Sequence, residues 1–326
     1  MQATLERILN RQALDQCEAE QLMAAMLSDE TPEPLVAATL ASLRTRGETA
    51  AELAGFTRAL LGLALPCKAG QPCIDTCGTG GDNAGTFNIS TATALLCAAQ
   101  GLKVVKHGNR SVTSQSGSAD VMEALGIAFA APGSVVRSRF TFLFAPHYHP
   151  ALKRLAPLRR QLGVRTVFNL IGPLANPARP QMQLVGVATR ERLQPVAEAL
   201  MLLGTRRAFV VHGEPGLDEA TPAGPFTVIE VSNGGLTQHE MRATEFGLAS
   251  CRLEDLRGGT AAENAAMIEA LFRGERGPRR DVIVLNAALV FLLAGEAHQP
   301  REAAGLAQRV LDSGAALSLL QELRRG

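Results

Sequence analysis

The sequence predicts an α/β protein in which a small N-terminal helical domain precedes a larger α/β domain with a parallel or mixed central sheet. Up to about residue 65, apolar residues recur at helical spacing, whereas short strand-like and helix-like segments alternate from Cys73 onward. Between these parts, Pro66 to Pro72 has the composition of a linker. We therefore expect a helical domain at 1–66, completed in part by residues near 150–180, and an α/β domain at 73–326.

Three or four short helices are expected in the N-terminal domain. Two groups of apolar residues each share a helical face: Leu22, Met23, Met26 and Leu27, and then Leu35, Val36, Leu40 and Leu43. Pro32 after Thr31 predicts the start of one helix, and Thr49 with Glu52 has capping-box spacing at the start of the next. Two interpretations stay open: a dimer face or cleft wall, or a helical domain that only packs on itself.

The global properties of the chain favour a globular enzyme. Its 326 residues are 46% hydrophobic and carry a net charge of +1, which gives no general attraction to nucleic acid or to an anionic membrane. No stretch approaches the roughly 20 apolar residues of a membrane span, so we expect a cytoplasmic protein without membrane partners. The six cysteines lack metal-ligand spacing and are interpreted as reduced, mostly buried thiols.

A glycine-rich loop follows the first apolar strand-like run, which ends at Asp75. Glycines at positions 78, 80, 81 and 85 fall close together, a density typical of backbone that bends sharply around a ligand. Asn88 and Ser90 stand before the next apolar helical pattern, so either is a candidate N-cap. The free N–H groups at such a helix start favour an anion.

A basic loop follows the next predicted strand, Leu102 to Val105. Lys106, His107, Asn109 and Arg110 leave the end of that strand together. The glycines alone fit neither the Walker nor the dinucleotide spacing and are compatible with ordinary turns. A glycine-rich loop, a capped helix and a basic loop within 46 residues nonetheless predict a site for a phosphorylated ligand.

Four further strands are expected, at Phe142 to Phe144, Leu184 to Val187, Arg207 to Val211 and Val228 to Val231. A basic loop at Arg273 to Asp281 is expected before an apolar helix near Val282 to Leu293. Within that loop, Arg279 and Arg280 are interpreted as part of a solvated face.

Asp218 and Glu219 are adjacent carboxylates in a loop that follows a predicted strand. Such a pair can hold a hard divalent cation, although acidic pairs are also common on loops that bind no metal. Mg2+ usually keeps several waters and bridges one or two carboxylates to substrate phosphates. His147 and His149 have no third nearby ligand, so we expect a structural role for them and no transition metal.

Three motifs resemble the anthranilate phosphoribosyltransferase family: GTGGD at Gly78 to Asp82, NIST at Asn88 to Thr91 and KHGNR at Lys106 to Arg110. The resemblance extends over nearly the whole chain, including the segments 44–49, 149–177 and 212–219. It implies transfer of the phosphoribosyl group from phosphoribosyl diphosphate (PRPP) to the amine of anthranilate, with release of diphosphate, in tryptophan biosynthesis. It also implies two Mg2+ ions per subunit and a homodimer formed through the N-terminal helices.

Carried over position by position, the resemblance implies a PRPP site built from both loops. Its residues are Gly78, Gly81, Asp82, Thr86, Asn88, Ile89, Ser90, Thr91, Lys106, His107, Gly108, Asn109, Arg110, Ser111, Val112, Thr113, Ser114 and Ser118. Lys106 and His107 are the candidate catalytic residues. We expect His107 to position substrate rather than act as a general base, because an aromatic amine is already neutral near pH 7.

The same resemblance implies an acceptor site and two metal positions. Anthranilate is expected to contact Gly78, Asn109 and Arg159. One Mg2+ is expected on Ser90 and Glu219, and the other on Asp218 and Glu219. Arg159 and Arg160 are each compatible with surface charge, but a guanidinium is also a bidentate partner for a carboxylate, and the resemblance selects Arg159.

Two features depart from the family pattern. Gln115 stands where a basic residue is more usual, and the segment from Ala128 to Arg139 is a few residues shorter, which bears on the acceptor channel. Two alternative functions are a pyrimidine nucleoside phosphorylase of the same architecture and a noncatalytic relative that binds nucleic acid. The GTGGD and KHGNR motifs disfavour the phosphorylase, and the near-neutral charge and the acidic pair disfavour the nucleic-acid binder.

Overall fold

The computed structural model describes residues 1–111, 115–136, 138–233 and 235–325. The N-terminal part forms four helices, α1 (Gln2–Leu9), α2 (Gln16–Leu27), α3 (Glu33–Arg46) and α4 (Ala50–Leu63). The predicted capping box is confirmed, because Glu52 N–H donates to Thr49 Oγ1 at 3.3 Å and Thr49 N–H donates to Glu52 Oε2 at 2.9 Å. The predicted helix start at Pro32 is confirmed as well, with α3 beginning at the next residue.

The rest of the described chain alternates strands and helices. The strands are β1 (Lys68–Ala69), β2 (Ile74–Gly78), β3 (Val104–Gly108), β4 (Val135–Val136), β5 (Phe140–Phe144), β6 (Met182–Gly186), β7 (Arg207–Gly213), β8 (Phe226–Ser232) and β9 (Gly235–Met241). The helices are α5 (Ile89–Gln100), α6 (Ser118–Ala124), α7 (Ala145–Tyr148), α8 (Ala156–Leu162), α9 (Val167–Ile171), α10 (Leu193–Leu202), α11 (Ala261–Phe272), α12 (Pro278–Ala294), α13 (Pro300–Asp312) and α14 (Ala315–Leu323).

Seven strands form one mixed sheet in the order β5-β3-β2-β6-β7-β8-β9. The first five run parallel, and β8 and β9 add an antiparallel edge. The predicted α/β class with a mixed central sheet is therefore confirmed, as are the four further strands, each with shifted ends. Strand β9 was not predicted, because its polar residues are exposed and give little apolar pattern.

Both faces of the sheet are covered, as the alternation of buried residues along each strand requires. On β6, Leu184 packs into the core under α5 and α12, whereas Val185 packs on the opposite side. On β7, Phe209 and Val211 join the first core and Val210 joins the second. Helix α10 covers this second face, and α4 of the N-terminal part packs against α10.

The second core also joins the N-terminal helices to residues from later in the chain. Leu53 and Phe56 of α4 belong to the same buried cluster as Leu158 of α8 and Phe168 of α9. The helical part therefore packs on the α/β part as well as on itself, and it forms one side of a cleft. The exact division at residues 66 and 73 stays a prediction.

Four expectations from the sequence are wrong in detail. Lys106 and His107 lie within β3 rather than beyond its end. The loop before the apolar helix is shorter than expected, since α12 already begins at Pro278, and Arg280 is buried and pairs with Asp312 at 2.7 Å instead of being solvated. Of the six cysteines, only those at positions 73 and 97 are fully buried.

Candidate active site

The candidate site lies at the edge of the sheet where the carboxyl ends of β2, β3, β6 and β7 meet. Strands β3 and β6 flank β2, so the chain connections diverge on its two sides. In open α/β sheets, ligands bind in the crevice outside the strand ends at such a point. The glycine-rich loop begins here at the end of β2, and Lys106 lies near the end of β3. The loop that carries Asp218 and Glu219, which we call the acidic loop, follows β7.

The glycine-rich loop is packed directly against Asp218. Gly80 N–H donates a hydrogen bond to Asp218 Oδ2 at 2.6 Å, and a Cβ atom on Gly78 would lie 2.0 Å from that same oxygen. A Cβ atom on Gly186, at the end of β6, would lie 1.5 Å from the carbonyl oxygen of Asp218. Only glycine fits at these two strand ends, and the absence of side chains lets the acidic loop approach.

Asp218 and Glu219 form a partly buried acidic pair beside the start of α5. Ser90 N–H donates to Glu219 Oε1 at 3.2 Å. Burial and, to a smaller degree, the charge of Asp82 raise the pKa of Asp218 to about 7. Burial together with the charges of Asp218 and Asp82 raises the pKa of Glu219 well above its usual value. Each of these acids is therefore stabilised as an anion only when positive charge joins it.

The acidic pair has both space and unused ligand capacity for a small cation. Glu219 Oε2 is buried and has no hydrogen-bond partner among the described residues. A cavity of about 10 Å3, roughly the space of one water-sized sphere, is bordered by Ser90, Asp218 and Glu219. No group of three or more His, Cys, Asp or Glu side chains in the described ranges encloses a metal position. The donor set suits Mg2+, which completes its shell with water and phosphate oxygens.

Lys106 is a buried cation next to this acidic pair. Its residue is 1% exposed, and its Nζ donates to the Thr76 carbonyl and lies 3.4 Å from Ser90 Oγ. The ammonium charge acts on Glu219, where it opposes the rise in pKa that burial causes. Lys106 is therefore fixed between the β2 end, the start of α5 and the acidic loop.

His107 lies on the other side of β3 and is a neutral imidazole near pH 7. Burial lowers its pKa to about 3, and the neighbouring His149 adds to the shift. The two rings pack edge to face with their centroids 5.2 Å apart. His149 Nε2 lies 2.9 Å from the Ala175 carbonyl, whereas its Nδ1 is buried without a hydrogen-bond partner among the described residues, and a structural role for His149 stays a prediction. His107 Nε2 is buried without a hydrogen-bond partner among the described residues.

Asn264 of α11 holds the predicted donor-site residue Asn88, a contact that sequence reasoning missed. Its Nδ2 donates to Asn88 Oδ1 at 2.8 Å and to Ser116 Oγ at 2.9 Å. Asn88 occupies the N-cap position of α5, but its side chain makes no capping bond and instead joins this network. The helix α11 lies far from the motifs in sequence, and its amphipathic pattern gives no sign of a polar contact with them.

The described part of the basic loop turns its arginine away from the strand ends. Arg110 pairs with Asp120 at 2.7 Å and with Glu123 at 2.6 Å, both on α6. Ser118 Oγ donates to the Asn109 carbonyl at 3.3 Å, and Asn109 itself is exposed. Arg110 therefore already has acidic partners, whereas Asn109 is open to a ligand.

The other predicted PRPP residues border the same loops in different ways. Ile89 and Thr91 are fully buried in α5, so only their backbone faces the loop. Thr86 forms a backbone bridge with Arg257. Gly108 ends β3 against Ser118, Ser111 N–H donates to Asp120 Oδ2 at 3.3 Å, and Asp82 Oδ1 accepts from Ala84 N–H at 3.2 Å. The predictions for Val112, Thr113 and Ser114 lie outside the described residues.

Arg159 is a partly buried cation without a carboxylate partner. Its guanidinium carbon lies 5.0 Å from the centre of the Phe168 ring, and no side-chain hydrogen bond joins it to the described residues. Burial lowers its pKa, which shows that its charge is incompletely compensated. Arg160 is exposed. The local environment therefore favours an anion at Arg159 and not at Arg160.

Arg165 is a second basic residue of this region, and sequence reasoning did not select it. Its Nη2 donates to the Thr79 carbonyl at 2.9 Å, and a Cβ atom on Gly81 would lie 1.5 Å from its Nη1. Arg44 of α3 donates to the Arg165 carbonyl at 2.6 Å. Arg165 thus covers the glycine-rich loop from the side of the helical domain.

Comparison with known proteins identifies the family. Sequence profiles of the glycosyl transferase family match residues 2–64 as its helical bundle domain and residues 70–317 as its a/b domain. The chain is 44% identical to anthranilate phosphoribosyltransferase of Moorella thermoacetica, over 99% of this chain and 97% of that protein. The chain belongs to the anthranilate phosphoribosyltransferase family. The resemblance noted from the three motifs is confirmed.

Solved structures of anthranilate phosphoribosyltransferases have the same fold. The enzyme from Thermus thermophilus has a TM-score of 0.90 and 40% identity, with 99% of both chains covered. The enzyme from Saccharomyces cerevisiae in complex with PRPP and Mg also has a TM-score of 0.90, at 28% identity, with 100% of this chain and 98% of that chain covered. The same yeast enzyme was solved with 4-fluoroanthranilate, with a TM-score of 0.87, 27% identity and the same coverage. In the described ranges of this family member, no helix is long and apolar enough to cross a membrane.

Proposed function

We propose that this protein transfers the phosphoribosyl group of PRPP to the amine of anthranilate and releases diphosphate, as a step of tryptophan biosynthesis. The observation that carries this proposal is the meeting of the glycine-rich loop, the partly buried Asp218 and Glu219 pair and Lys106 at one sheet edge. Such an arrangement suits a ligand that brings both phosphate oxygens and a divalent cation. Family membership supplies the identity of the two substrates.

For the donor, we propose that the loop from Gly78 to Thr91 carries the diphosphate of PRPP. The glycines leave backbone accessible, and the positive end of the α5 helix dipole favours an anion beside them. Asn88 is fixed by Asn264, so the loop is held before substrate arrives. Lys106 provides a fixed positive charge near Ser90, on the side where the leaving group develops negative charge.

For the metal, we propose a requirement for Mg2+ and two ions per subunit. Ser90 and Glu219 would hold one ion, and Asp218 with Glu219 the other. The orphan Glu219 Oε2 and the raised pKa values of both acids support a cation at this place. Bound Mg2+ would supply neutralisation of the charge on the leaving diphosphate.

For the acceptor, we propose that Arg159 binds the carboxylate of anthranilate, with Asn109 and Gly78 close to the same substrate. In the reaction, the C–N bond forms at ribose C1 as the C1–O bond breaks, and the electron pair of that bond leaves with diphosphate. The amine proton then passes to solvent or to the neighbouring carboxylate of the product. His107, with its pKa lowered by burial to about 3, is too weak a base to take it near pH 7.

The assembly and location of the protein are also proposals. We propose a cytoplasmic homodimer that forms through the N-terminal helices. The exposed Leu9 of α1 and Leu63 of α4 give the N-terminal helices apolar contact area. Light scattering on the purified protein would contradict the homodimer if it gave the mass of one chain over the working concentration range.

One assay tests the proposed reaction directly. Anthranilate fluorescence should disappear when the protein is mixed with PRPP, anthranilate and Mg2+, and diphosphate should appear in equal amount. Replacement of PRPP and anthranilate by phosphate and thymidine or uridine tests the phosphorylase alternative. Loss of anthranilate without nucleoside cleavage supports the transferase, and the reverse result contradicts it.

A further inference from the structure

A second and strongly basic cleft lies between the helical part and the α/β part, and Thr79 and Gly81 of the glycine-rich loop form part of its wall. We call it the arginine cleft and define it by Arg44, Glu48, Arg165, Thr166 and Arg192, which border it. Its volume is about 240 Å3. Pockets for drug-sized ligands occupy roughly 300–1,000 Å3, so this cleft suits a small ligand.

The charges that face the arginine cleft do not balance. Arg192 pairs with the buried Glu48 at 2.8 Å. Arg44 and Arg165 make no ion pair with a carboxylate among the described residues, and their guanidinium groups donate only to the carbonyls of Arg165 and Thr79 respectively. Three guanidinium groups against one carboxylate leave two positive charges uncompensated, so the cleft attracts an anion.

Acids on the other side of the glycine-rich loop do not remove this excess. Asp82 and Asp218 act on Arg165 at longer range and raise its pKa, but burial outweighs them and the net pKa of Arg165 is lowered. The charge of Arg44 contributes to the lowering. Two guanidinium groups thus repel each other across the cleft, which an anion between them would relieve.

The arginine cleft also contains a buried polar group that lacks a partner. Thr166 is 4% exposed, and its Oγ1 has no hydrogen-bond partner among the described residues. The hydrogen bond at the start of α9 does not use this oxygen, because there the Thr166 N–H donates to Asn169 Oδ1 at 3.0 Å. A buried hydroxyl without a partner costs free energy, and rotation of the Thr166 side chain toward an anion in the cleft would give this hydroxyl an acceptor.

We propose that the arginine cleft is a second anion site and that it takes diphosphate after transfer. This inference rests on the proposed function, which makes diphosphate the product. Gly81 lies in the wall of the arginine cleft and also belongs to the proposed PRPP loop, and Arg165 covers it from the side of the cleft. A phosphate group that leaves the loop on that side meets Arg165 first and then Arg44.

A count of bound diphosphate tests the proposal with the full-length protein. Equilibrium dialysis of radiolabelled diphosphate is run with Mg2+ and saturating PRPP, without anthranilate, so that PRPP fills the donor site and no turnover occurs. About one diphosphate per chain should still bind. Absence of bound label under these conditions would overturn the proposal. Unlabelled inorganic phosphate and sulfate should displace the labelled diphosphate only at higher concentrations, because each of these anions contacts fewer guanidinium groups.

Two variants separate a ligand role from a structural one. Arg44→Ala should raise the Kd of the residual diphosphate at least tenfold, whereas Arg58→Ala, an exposed arginine of α4 that pairs with Glu20, should leave it unchanged. Thr166→Val removes the partnerless hydroxyl at nearly constant shape. It should raise the Kd about fivefold without lowering the melting temperature, because a structural defect is removed rather than created.

Kinetics distinguish failure of this inference from failure of the proposed function. Diphosphate should inhibit the wild-type reaction in a mixed pattern against PRPP, and Arg44→Ala should make the inhibition purely competitive. Purely competitive inhibition in the wild type would refute the arginine cleft as a diphosphate site while leaving the transferase intact. If no anthranilate is consumed at all, the transferase proposal fails, and the dialysis of the two variants still decides whether the cleft binds diphosphate.

Discussion

Asn264 Nδ2 donates a hydrogen bond to Asn88 Oδ1 at 2.8 Å, across 176 positions of sequence. Asn264 is 2% exposed, and its own Oδ1 accepts from Gly259 N–H at 2.8 Å, so its side chain has one fixed orientation. The contact fixes Asn88 at the start of α5. Helix α11 thereby determines the shape of a loop that belongs to a motif in another part of the chain.

Asn264→Ala is therefore expected to raise the KM for PRPP by about tenfold, with a smaller change in the KM for anthranilate. The loss of a buried hydrogen-bonding partner should also lower the free energy of unfolding by about 1–3 kcal/mol. Steady-state kinetics and urea unfolding measure the two effects. Gln194→Ala, on the exposed face of α10, is the control. Equal increases in both KM values would show that Asn264 supports the fold in general rather than the donor loop.

The acidic pair should set the Mg2+ dependence of the reaction. Asp218→Asn with Glu219→Gln keeps shape and hydrogen bonding but removes both charges, so the Mg2+ concentration for half-maximal activity should rise at least tenfold. Glu214→Gln, in the same loop but with a half-buried side chain that pairs with Arg190, should behave like the wild type. Full activity of the double variant at limiting Mg2+ would show that the metal site lies elsewhere.

Arg159→Ala should raise the KM for anthranilate tenfold or more and leave the KM for PRPP within about twofold. The physical reason is the loss of a charge-assisted hydrogen bond to the acceptor carboxylate. Arg160→Ala provides the matched control, because that neighbouring arginine is exposed. Equal increases in the KM values for anthranilate and PRPP would show that Arg159 does not bind the acceptor specifically. An equally large increase in the KM for anthranilate in Arg160→Ala would show the same.

His107→Asn should lower kcat by no more than about a hundredfold. Loss of a general base typically costs about 10² to 10⁴ in rate, and an imidazole with its pKa lowered by burial to about 3 is poorly suited to that role. The measurement is kcat at saturating substrates from pH 6 to 9, with and without added imidazole. A fall of several thousandfold that imidazole rescues would establish His107 as a base.

The buried histidine should also make the fold sensitive to acid. The pKa of His107 is lowered in the folded state, so between about pH 3 and 6.5 the unfolded chain binds more protons, and stability falls as the pH decreases. Relative to pH 7.5, this one group should cost about 2 kcal/mol at pH 5. Urea unfolding of wild type and His107→Asn at both pH values isolates the effect. Identical pH dependence of the two proteins would contradict it. The groups that act on the imidazole are His149, Lys106 and the backbone of Gly172, and they are unchanged in the comparison.

The sequence by itself determined the fold class, the two loops and the family. Helical spacing before residue 65 and strand alternation after Cys73 are local patterns, and the capping box of Thr49 and Glu52 spans only three positions. Motifs such as GTGGD and KHGNR are likewise continuous in the chain. Local patterns of this kind are visible without tertiary structure, because hydrogen bonds and backbone preferences within a few residues produce them.

Only the tertiary structure decided which side chains meet across the sheet edge and which charges remain uncompensated. Asn264 and Arg165 act on the glycine-rich loop from distant segments, and neither has a spacing that marks it. Arg110, selected from the sequence as a ligand, already pairs with two acids of α6, whereas Arg159 does not pair with any acid in the described chain. Burial and partner identity set both the charge balance and the pKa of a group, and these depend on packing between segments that are far apart in sequence.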